Sequence, residues 1–186
     1  MRIVGGEFRG RPLAAPKSSA IRPTSDRTRE SLFNILSHSY PQSLDGTRVL
    51  DLFSGTGALG IEALSRGARY CLFVEESAEG RGLLRENVEA LSLQGKTRIF
   101  RRNATDLGPA GPIEPFDLAF ADPPYGKGLG ERALVSAAEN SWLADGALIV
   151  LEEASTAVVS LPGSFSLLDT RPYGESVIRI LRWKAP

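Results

Sequence analysis

The chain has 186 residues, 42% hydrophobic and 24% charged, and carries no net charge; this is the bulk profile of one water-soluble domain with a real core and room for a small appendage. Its apolar runs fall well short of the ~20 residues that a spanning helix needs, and the opening "MRIVGGEFRGRPL" lacks the apolar stretch of a signal peptide. Cys71 is the only cysteine, which excludes an internal disulfide or a cysteine-clustered metal site and fits a reducing, cytoplasmic setting.

The charge is unevenly spread. Residues 1–30 hold seven bases (Arg2, Arg9, Arg11, Lys17, Arg22, Arg27, Arg29) and three acids (Glu7, Asp26, Glu30), so a segment of +4 precedes a body of −4. A basic leading arm of this kind suits a polyanionic partner, and solvated bases that merely keep an arm soluble are the plainer alternative.

Taken in chain order, "RIVGGEFRGRPL" reads as a β-hairpin around a tight turn at Gly5-Gly6. "AAPKSSAIRP" follows as a loop. "TSDRTRESLFNILSH" predicts a helix capped by Thr24 or Ser25, with Asp26 in its first turn and Leu32, Phe33 and Leu36 on one face. From residue 48 the order becomes regular: strand "RVLDLF", helix "ALGIEALSRG" closed by Gly67, strand "RYCLFVE", then helix "SAEGRGLLRENVEALSL", weakened by Gly80 and Gly82. Strand "KTRIFRR" leads into a segment rich in Pro and Gly. Strand "FDLAFAD", helix "GERALVSAAEN" and strand "GALIVLEE" come next. Two strands around a turn near Tyr173-Gly174 close the chain. Alternation of this kind predicts a parallel sheet with helices on both faces, and the closing pair predicts one antiparallel strand.

In an open α/β sheet the ligand crevice lies at the carboxyl ends of the strands. The first strand ends in "DLFSGTGALG", where Gly55, Gly57 and Gly60 permit a tight turn and close backbone approach. The second ends in Glu75, a carboxylate that can accept both ribose hydroxyls. The third ends near Asn103, placed to read a purine edge. The fourth runs into Asp122-Pro123-Pro124-Tyr125, whose prolines must terminate it. Each feature alone has a structural explanation: a glycine pattern with many false matches, a solvated acid, an Asn cap, a turn. Four at successive strand ends form a constellation.

That constellation resembles the S-adenosylmethionine-dependent methyltransferases of Rossmann-like fold, with "DLFSGTGALG" as cofactor loop and "DPPY" as the tetrapeptide of enzymes that methylate exocyclic amines. The order of "RIVGGEFRGRPL", "RPTSDRTRESLFNIL", "DLFSGTGALGIEALSRGA", "DPPY", "WLADGALIVLE" and "YGES" is similar to that of the bacterial small-subunit ribosomal RNA guanine-N2 methyltransferases (the RsmD family), from Arg2 to Trp183. The resemblance implies a mostly parallel seven-stranded sheet with one antiparallel strand over residues 23–186, behind an N-terminal hairpin arm and linker over 1–22. It implies S-adenosylmethionine held by Thr24, Asp51, Phe53, Ser54, Gly55, Gly57, Glu75, Asn103 and Ala104, and chemistry at Asp122, Pro123, Pro124 and Tyr125. "NATDLGPAGPIEP" departs from the pattern in its extra Pro and Gly, which weakens the adenine role of Asn103. Asp51 either meets the methionine ammonium or fixes the glycine loop.

An exocyclic amine is a poor nucleophile because its lone pair is delocalised into the ring. Two acceptors aimed at its N–H bonds, the Asp122 carboxylate and a carbonyl of the proline step, favour a pyramidal nitrogen, and Tyr125 offers a face on which an extruded base stacks. The methyl then passes in line from sulfur to nitrogen without a metal. A carboxylate suits guanine, whose N1–H lies beside its N2 amine, although the tetrapeptide also serves adenine enzymes. Arg2, Arg9, Arg11, Arg22 and Arg27 are the candidate phosphate contacts to 16S rRNA, naked or within a partly assembled small subunit. A monomer is expected. His38 is explained by its place at a helix end. The alternatives are an N6-adenine methyltransferase, a non-catalytic RNA-binding assembly factor, and a nicotinamide-dependent dehydrogenase; the last leaves "DPPY" and the closing strand pair unexplained.

Overall fold

Ser25, not Thr24, starts the first helix: its hydroxyl accepts the Thr28 N–H at 3.1 Å, satisfying one of the donors that a helix start leaves open. This computed structural model describes residues 1–18, 21 and 23–186; the arm residue Arg22 lies outside them. Helix α1 spans Asp26–Ser39 and buries Leu32, Phe33 and Leu36, the predicted face. The first βαβ units follow as β1 (Arg48–Leu52), α2 (Ala58–Ser65), β2 (Tyr70–Val74), α3 (Ala78–Ala90) and β3 (Thr97–Phe100). The chain then runs through β4 (Phe116–Ala121), α4 (Leu129–Glu139), β5 (Leu143–Ala154), β6 (Phe165–Tyr173) and β7 (Ser176–Trp183). Among the described residues no helix is long and apolar enough to cross a membrane.

The seven strands form one sheet in the order β3-β2-β1-β4-β5-β7-β6. Pairings β1–β2, β1–β4, β2–β3 and β4–β5 are parallel, while β7 runs antiparallel to both β5 and β6. β7 is therefore the one reversed strand that the closing pair predicted.

Side-chain alternation sorts the core into two layers. Val49, Cys71, Phe73, Leu118, Phe120 and Val150 face α1, α2 and α3. Leu50, Leu72, Ala119, Ile149 and Leu181 face the other way, against Ala133, Leu134 and Ala137 of α4. No helix joins β3 to β4. The Pro- and Gly-rich segment instead lays Ala104, Leu107 and Ala110 on the α4 side. It is held there by Trp142, whose indole N–H donates to Gly108 O at 2.7 Å, and by Ala110 N–H donating to Asn140 O at 3.0 Å.

Two local expectations change. The N-terminal pairing is present as a single antiparallel bridge, Arg2 with Pro12, and the reversal occupies residues 5–10 instead of two glycines. The reason lies in Glu62 of α2, which is fully buried and accepts Val4 N–H and Gly5 N–H, each at 3.0 Å. Those amides are spent on the helix, not on a strand partner. Strand β5 begins three residues before the predicted "GALIVLEE", with a register shift opposite Phe116/Leu118 and Gly146 at φ +80, the signature of a bulge absorbed within a strand.

Arg29, counted among the arm's bases, is not a surface charge. It is fully buried, donating to Glu62 Oε1 at 3.2 Å, to Arg2 O at 2.9 Å and to Asp26. Burial pulls its guanidinium below the ordinary value, opposed by Asp26 and Glu62. Glu62 also accepts from Arg66 Nε at 3.0 Å, so one buried carboxylate clamps the N-terminal segment, α1 and α2 together.

Candidate active site

The glycine loop is shaped by positions that only small residues tolerate. Gly55 (φ +56) and Gly57 (φ +82) adopt left-handed backbone. Phe53 shares that region at φ 55, a strained conformation for a bulky residue and one that recurs at ligand sites. Gly60 packs α2 onto the sheet: a Cβ there would lie 2.5 Å from the Phe73 ring and 2.6 Å from Cys71 Sγ. At Gly57 a Cβ would meet Leu84 of α3 at 2.3 Å.

Two carboxylates hold this loop. Asp51, 1% exposed at the middle of the sheet, accepts Gly60 N–H on Oδ2 at 3.0 Å. Burial raises its pKa well above the ordinary carboxylate range; the Gly60 bond opposes this, and Asp122 and Glu75 reinforce it. Glu75 accepts Gly55 N–H on Oε1 at 3.1 Å and Ser77 N–H and Oγ–H on Oε2 at 3.2 and 3.0 Å. Gly80, which weakened the predicted helix, leaves space for that carboxylate, since a Cβ would lie 2.7 Å from Glu75 Cδ.

The fourth strand end is assembled differently. Asp122 Oδ2 accepts the Thr24 hydroxyl at 3.0 Å. The Tyr125 hydroxyl donates to Glu152 Oε1 at 2.7 Å, and burial and that carboxylate together raise its pKa. Gly126 N–H donates to Glu153 Oε1 at 2.8 Å, and Ser176 Oγ donates to Glu152 Oε1 at 3.0 Å. The end of β5 and the start of β7 thus pin the Asp122–Tyr125 loop from beneath.

These strand ends open into one cleft of about 620 Å³, within the usual range for small-molecule sites. Its lining includes Thr24, Asp51, Phe53, Ser54, Gly55, Glu75, Asn103, Ala104 and all of Asp122–Tyr125. Gly57 stands behind that wall, where its close approach to Leu84 serves packing. Asn103 lies at the rim with Oδ1 turned back on its own chain, accepting Thr105 N–H at 2.9 Å and Thr105 Oγ–H at 2.7 Å.

The candidate phosphate contacts divide. Arg27 sits exposed in the first turn of α1, next to the cleft residue Thr24, and Arg2 is nearby through its N–H on Asp26. Arg9 rides the turn that rests on Ser65, at the far end of α2, about 12 Å of helix from the glycine loop. Arg11 reaches Ala90 O at the end of α3.

Sequence reasoning missed Glu152, Glu153 and Ser176. The strand-end rule that found Glu75 and Asp122 would have found the glutamate pair had it been applied to "GALIVLEE". The hydroxyl of Ser176 needed the tertiary pairing of β7 beside β5.

A sheet of this order, with its reversed strand next to last and its cleft over a glycine loop after β1, defines the class of Rossmann-like methyltransferase folds. The chain belongs to the family described as "Conserved hypothetical protein 95", which matches residues 1–182. It is 38% identical to Ribosomal RNA small subunit methyltransferase D of Escherichia coli (strain K12), covering 100% of this chain and 91% of that protein. The protein of the same name from Haemophilus influenzae is 35% identical, with 94% and 89% covered. The solved structure of the Escherichia coli protein yhhF superposes with a TM-score of 0.85 at 35% identity, covering 100% of this chain and 99% of that one.

Proposed function

We propose that the protein methylates the exocyclic N2 amine of a guanine in small-subunit ribosomal RNA, using S-adenosylmethionine. The relatives named for ribosomal RNA methylation support the general activity; the observation that carries the reading is that a glycine loop, Glu75 and Asp122–Tyr125 line one cleft.

The donor set fits the cofactor. A nucleoside with a ribose diol, an α-ammonium and a sulfonium needs acceptors at three places and apolar walls between them. Glu75 at the second strand end suits the diol, buried Asp51 suits a cation, and Phe53, Val74 and Leu59 supply apolar surface. Bound S-adenosylmethionine supplies an electrophilic methyl group. Asp51 already serves the loop through Gly60, and its second oxygen is available to the ammonium; the two roles considered for it are compatible.

Asp122 accepts from the acceptor amine and holds the lone pair toward the cleft. Its own orientation is set by Thr24, so the acceptor is preorganised. Tyr125, fixed at its hydroxyl by Glu152, presents a ring against which an extruded base stacks. Exposed Arg27, at the start of α1, and Arg2, whose backbone N–H donates to Asp26, contact the RNA backbone, with Arg9 and Arg11 extending the footprint. The protein acts as a cytoplasmic monomer on RNA that is partly assembled into the subunit.

Labelled-methyl transfer to naked small-subunit RNA, assembled particles, bulk RNA and DNA, followed by nucleoside analysis, tests this. N2-methylguanine in small-subunit RNA is expected. N6-methyladenine would redirect the reading to an adenine enzyme, and no labelled product on any substrate would leave a binding factor.

A further inference from the structure

A second cavity, of about 170 Å³, opens beside the cleft and shares Pro23, Thr24, Asp122 and Tyr125 with it. At ~30 Å³ per water this is room for five or six waters, or one flat heterocycle. Its far wall is built from the β5 end and the β6–β7 turn: Glu152, Tyr173, Glu175 and Ser176. Acceptors therefore line both sides, Asp122 on one and Glu152 and Glu175 on the other. Glu152 is 8% exposed. Its Oε1 takes the Tyr125 and Ser176 hydroxyls, and among the described residues Oε2 makes no hydrogen bond. The side chain of Glu152 is largely buried but lines the cavity, so an oxygen without a hydrogen bond there can accept from a donor placed in it.

Resting on the methyl-transfer reading above, we infer that this side pocket takes the acceptor base and that Glu152, through Oε2, selects guanine by accepting from N1–H while Asp122 accepts from the adjacent N2 amine. Two carboxylates against two neighbouring donors match the guanine edge. Adenine would set its N1 lone pair against one of them. Tyr125 is common to both roles, since the bond that fixes its ring also orients Glu152.

The test replaces the methylated guanine, located by nucleoside mapping, with 2-aminopurine, which keeps the N2 amine and lacks N1–H. Wild type should favour guanine by on the order of 10- to 100-fold in kcat/KM, the discrimination of one good base-edge pair. Glu152→Gln keeps an acceptor for the Tyr125 hydroxyl and turns a donor toward the base. It should lose a similar factor on guanine, hold its rate on 2-aminopurine and bring the ratio near one, with S-adenosylmethionine affinity unchanged. Equal slowing of both substrates would reduce Glu152 to a support for Tyr125 and overturn the inference, as would an unchanged ratio. Should the variant not fold, wild type alone decides by nucleoside titration: guanosine should bind more tightly than 1-methylguanosine, and equal binding overturns the pocket assignment. Wild type that methylates no RNA would instead overturn the functional proposal, while the nucleoside titration still reports on the pocket.

Discussion

The two halves of the cleft are built on opposite plans. On the β1–β2 side the polar groups are backbone amides held by nearby carboxylates: Gly60 on Asp51 and Gly55 on Glu75, pairs 9 and 20 residues apart. On the β4–β5 side the two carboxylates that line the cleft and its side cavity, Asp122 and Glu152, are held by hydroxyls from distant elements: Thr24 on Asp122 across 98 residues, Tyr125 on Glu152 across 27 and Ser176 on Glu152 across 24. Backbone donors are fixed once the loop folds. The hydroxyl-held side stays aligned only while α1, β5 and β7 stay docked. The first half is thus a local motif, and the second is a product of tertiary packing.

The sharpest way to separate the halves is Asp122→Ala. It should lower methyl transfer by at least about 10²–10³-fold, the range for removing one preorganised electrostatic group, with S-adenosylmethionine affinity nearly unchanged by titration calorimetry. Comparable loss of cofactor affinity would join the two halves into one. Next in size, Arg29→Ala removes the fully buried one of the two arginines paired with Glu62 and leaves Arg66 alone on it, a break that costs up to about 3–5 kcal/mol; urea unfolding should show it. Because Arg29 also donates to Thr24 O just ahead of α1, transfer measured below the unfolding range should also fall further than cofactor binding does.

Asp51 gives a pH signature on the amide-held side. Its folded pKa is raised, so between the unfolded carboxylate value of ~4 and the folded value the native state holds a proton that the unfolded chain has lost. Stability of the cofactor-free protein should therefore fall as pH rises through that window, by up to about 1.4 kcal/mol per pH unit for one proton. Asp51→Asn should remove that slope; urea midpoints across a pH series check it. The smallest effects belong to the arginines. Arg27→Ala should weaken RNA binding and reduce the log–log salt slope by about 0.7–0.9 for one phosphate contact. Arg9→Ala with Arg11→Ala should change it less if the RNA stays near the cleft, and more if it wraps the N-terminal face.

This division also decides what could be read from the sequence. Gly55, Glu75 and Asp122 were legible because strand ends announce themselves: an apolar run stops, and the residue after it lies at the crevice. The helices and six of the strands followed from periodicity and caps, and β7 from its turn at Gly174. Arg29 was misread as an arm base because nothing in "SDRTRES" marks a buried guanidinium; its partner Glu62 lies 33 residues on. The N-terminal hairpin shrank to one bridge for the same reason, as Glu62 captures the amides of Val4 and Gly5. Thr24 was expected among the cofactor contacts and lines the cleft, yet its hydrogen bond goes to Asp122, a pairing that depends on where α1 docks.

Strand β7 runs against its neighbours, and that reversal places the Tyr173–Ser176 connection at the cleft end of the sheet. A parallel strand in that position would have sent its incoming connection to the opposite end. The chain thus brings a short hairpin turn to the substrate side, outside the crossovers that carry the glycine loop. Turns of this kind tolerate substitution and length change without disturbing sheet register beyond their own pair. The wall of the side cavity can therefore be reshaped at Glu175 while the glycine-loop half of the cleft is left intact.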